Sequence, residues 1–280
     1  MTSTTPNTAP APRALPAYPR PQKVTQARVL RSELTKLRTQ PSALWALLSA
    51  VVLVVAFGIG YSLLREARPP HGAAAIASFD PAAISLSGVQ LAQIAVGVLG
   101  VLLITSEYAT GLIRTTLAAV PRRLPVLWGK AAMLAAAIVA VSVPAAFAAF
   151  LAGQSILGRQ HLAVHLGQPG VARAVIGSAL YLAVAGLLGL GLGALLRSTA
   201  GGIAALFGLL FAVQLVAGFL PGSWADDVGK YVPTTAGQAV TAVHPDPTSS
   251  LPPWTGFGVF CGYAAVLLVL AALRMRRGDA

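Results

Sequence analysis

The chain has 280 residues, 56% of them hydrophobic and only 10% charged, with a formal net charge of +12. Soluble globular domains average roughly a quarter charged residues, so an ordinary water-soluble fold is excluded and lipid is the solvent that suits this composition. Nucleic-acid binding is excluded as well, because the basic residues flank apolar runs and are not interleaved with aromatics on a polar domain.

Residues 1–22 are rich in Pro, Thr and Ala and lack the apolar core of a secretory signal. They read as a disordered cytoplasmic tail. Over 23–40, Ala27, Leu30, Leu34 and Leu37 recur at helical spacing, with Arg28, Arg31, Lys36 and Arg38 largely on other faces. The pattern predicts an amphipathic interfacial helix lying in the headgroup layer.

Six apolar runs follow, at about 42–64, 86–105, 126–151, 171–196, 200–220 and 256–273. Each is long enough at about 1.5 Å per residue to cross most or all of a hydrocarbon core of about 30 Å. Pro69-Pro70 and Asp80-Pro81 read as breakers between the first two spans. Pro144 falls inside the third and is expected to kink it rather than end it. The outer linker 221–255 is the longest, and 274–280 forms a short tail.

With the N-terminus inside, 15 of the 20 Lys and Arg residues fall on the inner side, Lys130 counted among the linker cations. That asymmetry predicts both termini on the cytoplasmic side of the membrane.

Several constellations bear on chemistry. No GxxxxGK[ST] loop occurs, so ATP hydrolysis by the P-loop route is not expected of this chain, nor is any enzymatic activity. His161 and His165 are four apart with no obvious third ligand, and no metal site is expected. Cys261 reads as a small buried apolar residue. Gly189 and Gly193 form a GxxxG that serves close helix packing, either within the subunit or at a dimer seam. Gln90 and Gln93, three apart in the second span, and Gln214 in the fifth need polar partners in hydrocarbon. They either make interhelical hydrogen bonds or line a translocation pathway. Every Asp, Glu, Lys and Arg is read at or beyond a span end, which argues against an ion-coupled transporter.

The segment SEYATGLIRTTLAAVPRR, Ser106 to Arg123, is the most distinctive. Ser106 reads as a cap and Glu107 as a first-turn acid of a separate helix over about 107–119, lying below the membrane and ended by Pro121. A mixed polar and apolar helix in that place is suited to docking in a partner's groove.

With SELTKLRTQPSALW, LGALLRSTAGGIAAL and YVPTTAGQAV, that segment resembles the permease subunits of type-2 ABC (ATP-binding cassette) exporters from actinobacteria. The likeness extends over nearly all of the chain from Lys23 onward. It implies an all-α integral membrane fold of six transmembrane helices behind an interfacial helix. It implies a coupling helix between spans two and three and re-entrant helices within 221–255. Glu107, Tyr108, Arg114, Arg122 and Arg123 would contact a separate ATP-binding subunit, which would hold the ATP and Mg²⁺; this chain would carry no cofactor. A second permease, identical or related, would complete a pathway lined by spans two and five. The competing readings are a secondary transporter or channel, and a membrane assembly or sensing subunit that moves no substrate.

Overall fold

The computed structural model describes residues 41–70, 72, 79–109, 123–219, 227–243 and 249–277. The tail over 1–22, the interfacial helix expected over 23–40, the expected coupling helix from residue 110 onward with the linker to 122, and residues 278–280 lie outside them. Among the described residues every regular element is helical. Six helices are long and apolar enough to cross a membrane: α1 (Pro41–Ala67), α3 (Val89–Ala109), α4 (Arg123–Leu157), α5 (Val171–Leu196), α6 (Thr199–Gly218) and α8 (Pro253–Arg277). Two short helices, α2 (Pro81–Ser85) and α7 (Pro233–Gln238), lie between them.

α5 is the central helix, packed by α3, α4 and α8. Small residues allow this. A Cβ placed on Gly189 would overlap the carbonyl oxygen of Gly97, and one on Gly100 would overlap that of Gly186. The backbones of α3 and α5 therefore touch, and the Gly189-containing GxxxG belongs to a seam inside the subunit. α4 continues through Pro144 without a break and extends past the expected 126–151 at both ends. α6 contains a π-helical turn at Gly208–Ala212.

The Asp80-Pro81 breaker builds a helix rather than only ending one. Asp80 Oδ1 accepts from the amides of Ala82 and Ala83 at 3.0 Å, and Pro81 occupies the first turn. The resulting α2 is held by Gln154 of α4. Its Nε2 donates to Pro81 O and to Ser85 Oγ at 2.9 Å, and its Oε1 accepts from the Val164 amide at 2.8 Å. A buried amide is thus satisfied on both sides. α2 also delays the start of α3 to Val89 instead of Leu86.

α7 is inserted among α5, α6 and α8. Its Gly237 lies against the rings of Tyr181 and Phe260, and Thr234 Oγ1 donates to Leu210 O of the π turn at 2.5 Å. Leu210 is eight residues from the end of α6, about 12 Å along the axis, so α7 reaches well into the bundle.

Candidate functional site

A cluster of interacting polar groups lies at the end where α3 leaves and α4 begins. α3 is an unbroken helix to Ala109. Ser106 and Glu107 therefore lie in its last turns, not at the cap and first turn of a new helix as the sequence pattern predicts. The local reason is tertiary: Glu107 is held where it is by Lys130. The Nζ of Lys130 is 2.9 Å from Glu107 Oε1, with side chains 1% and 10% exposed. Lys130 is seven residues into α4, about 10 Å from its start. It is a helix-embedded cation, not the linker charge assumed in the charge count.

Three more contacts close the same end. The Arg197 guanidinium lies over the Tyr108 ring, 5.5 Å from its centroid. Arg197 caps α5 in the left-handed conformation with φ 54°, its amide donating to Gly193 O at 2.9 Å. The Thr199 hydroxyl donates to Thr105 Oγ1 at 2.9 Å, and the Thr105 hydroxyl donates to Val101 O at 3.0 Å. Arg274 of α8 donates to Leu195 O of α5. Five helices, α3, α4, α5, α6 and α8, are tied together here by side chains.

Of the residues expected to contact an ATP-binding subunit, Glu107 and Tyr108 belong to this cluster. Arg123 is the first residue of α4. Arg114 and Arg122 lie outside the described residues. Thr105 and Thr199 carry no sequence signal, and Lys130, Arg197 and Arg274 enter the sequence reading only as counted inner-side charges. A lysine five residues inside the apolar run at Val126 was the one available signal for the ion pair.

The three glutamines part company. Gln93 is buried at 1% exposure and accepts a hydrogen bond from the Tyr181 hydroxyl of α5. Tyr181 in turn stacks on Phe260 of α8, with centroids 5.0 Å apart. Gln93 thus ties α3 to α5. Gln90 is exposed and lines a pocket of about 700 Å³ between α1, α2 and α3. Gln214 is exposed on α6 beside a second pocket of about 260 Å³, shared with Lys230 and Thr235. His161 and His165 are both exposed, and Cys261 is partly buried on α8.

No protein-family model matches the chain, and no curated protein matches it.

Proposed function

We propose that this chain is the membrane-spanning permease subunit of an ATP-driven ABC exporter. It works with a separate ATP-binding subunit and a second permease copy or paralogue, in a bacterial plasma membrane with both termini cytoplasmic. The observation that carries this reading is the buried Glu107–Lys130 pair. It joins the two helices that flank residues 110–122. A partner that displaces that segment moves α3 and α4 together, and the Thr105–Thr199 and Tyr108–Arg197 contacts pass the movement to α5 and α6. The exposed apolar face of α6, with Phe207, Phe211 and Leu215, supports a pathway completed by another permease. ATP would drive the cycle through its different affinity for the two states of the assembly.

The test is co-purification with candidate P-loop ATPases, wild type against Arg114→Glu. A stable complex whose ATP hydrolysis is stimulated by the chain, and its loss in the variant, is the expected result. An unchanged complex and unchanged transport in the variant would count against the reading.

One observation favours a second reading. A buried carboxylate–ammonium pair in a span is the kind of group ion-coupled transporters use. That reading requires uptake driven by an ion gradient in vesicles without ATP.

A further inference from the structure

We propose that the 700 Å³ pocket at the opposite end of the bundle binds the phosphate headgroup and upper chain of an anionic phospholipid. This proposal requires only that α1 and α3 span a bilayer, and it is independent of the exporter reading.

The pocket is amphipathic along its length. Its deep wall carries Phe57, Ile84 and Leu91, with the Gln90 amide among them, and Arg65 and Arg68 stand at its upper end. Ser87 Oγ donates to Phe57 O at 3.4 Å, which fixes Phe57 at the level where α3 begins. Arg65 is eight residues further along α1, about 12 Å above Phe57. That is the separation between a lipid phosphate and the upper part of its acyl chains. Phe57 and Tyr61 are exposed on the outer face of α1, so the apolar wall is continuous with the surface that contacts lipid.

The electrostatics favour an anion. Arg65 lines the pocket, half-buried, and donates from Nη2 to the Tyr61 hydroxyl at 2.9 Å. A guanidinium at the rim of a partly dry site favours a phosphate, whose oxygens accept its N–H groups in a forked geometry. Arg68 is exposed beside it. The acid of the pocket, Asp80, already accepts from the amides of Ala82 and Ala83 and, at 3.4 Å, from that of Val243. Glu66 turns away to Arg159, 3.4 Å distant. Two cations therefore face the cavity against one carboxylate spent on backbone amides. The bilayer supplies the occupant at high local concentration, and the apolar depth below the arginines has no use for a free phosphate ion.

The experiment is native mass spectrometry of the full chain released from nanodiscs containing phosphatidylglycerol and phosphatidylcholine in equal amounts. The wild type is expected to retain phosphatidylglycerol over phosphatidylcholine by about tenfold. R65Q/R68Q is expected to bring the two lipids to parity, whereas R65K/R68K keeps part of the preference. E66Q/R159Q, which removes both members of the neighbouring ion pair outside the pocket, leaves it intact. Inorganic phosphate at millimolar concentration should not displace the lipid. Equal retention of the two lipids by the wild type overturns the proposal. So does an unchanged preference in R65Q/R68Q, and so does displacement by inorganic phosphate, which would make the site one for a soluble anion. If R65Q/R68Q does not fold, R65Q and R68Q are measured singly, and an unchanged preference in both overturns the proposal.

Discussion

Glu107 and Lys130 are 23 residues apart in sequence and 2.9 Å apart in space, the last turns of one span joined to the second turn of the next. Two charges out of water gain little net stability over a well-packed apolar pair, but removing one of them takes the 2.9 Å counter-charge from the other. Glu107→Gln or Lys130→Met alone should therefore destabilise the protein by about 3 kcal/mol, while Glu107→Leu with Lys130→Met should recover much of that loss. Thermal unfolding in detergent of the two single variants and the double variant checks this; additive losses would show that the two side chains do not act as a pair.

The contact of α3 with α5 depends on residues that lack a side chain. Gly189→Val drives a branched side chain into the carbonyl of Gly97. The expected result is loss of monodisperse protein, or destabilisation by about 3 kcal/mol, the upper range for overpacking a filled core. Gly262→Ala meets nothing within 4 Å and, in a helix interior, should leave the size-exclusion profile unchanged and not lower the melting temperature.

Gln93 and Gln90 should separate in experiment as they do in space. Tyr181→Phe removes the donor to a buried amide oxygen and should cost about 1–2 kcal/mol. Gln93→Ala should also lower the melting temperature, whereas Gln90→Ala, at an exposed position, should leave it unchanged. Equal melting temperatures for the two glutamine variants would contradict the assignment of Gln93 as a helix tie.

α7 is held by Thr234 at the π turn, where the helical hydrogen-bond ladder is interrupted and a carbonyl looks outward for a donor. Thr234→Val keeps the shape and removes the donor. Hydrogen exchange over Pro233–Gln238 should rise, with a stability loss of about 1 kcal/mol; unchanged exchange would mean that packing against Phe260 and Tyr181 holds α7 without the hydroxyl.

The spans were legible because apolar length is a property of single segments. α5 begins after Gly170 and ends at Arg197, both in the left-handed conformation that stops a helix. What joins the spans was not legible. Counting Lys130 as a linker cation hid its partner, because a pair 23 residues apart leaves no periodic signal. Asp80-Pro81 serves equally as a break and as a helix start, and only the packing of Gln154 on α2 decides between them. Tyr181 stands alone in an apolar run, and its role follows from meeting Gln93 across the α3–α5 seam. Ser106 and Glu107 misled for a related reason. A capping pattern describes local preference, and continuous packing of α3 overrode it.

The central claim is that residues 110–122 dock on an ATP-binding subunit. With Cys261 replaced by serine, the chain carries no other thiol, so Thr115→Cys supplies a unique cross-linking site. Thiol cross-linking of that variant to a candidate ATP-binding subunit in membrane vesicles tests the claim most directly. A cross-linked heterodimer whose yield changes on adding ATP is the predicted result. Labelling of the same cysteine by an impermeant maleimide from outside intact cells, with no cross-link in the presence or absence of ATP, would contradict it.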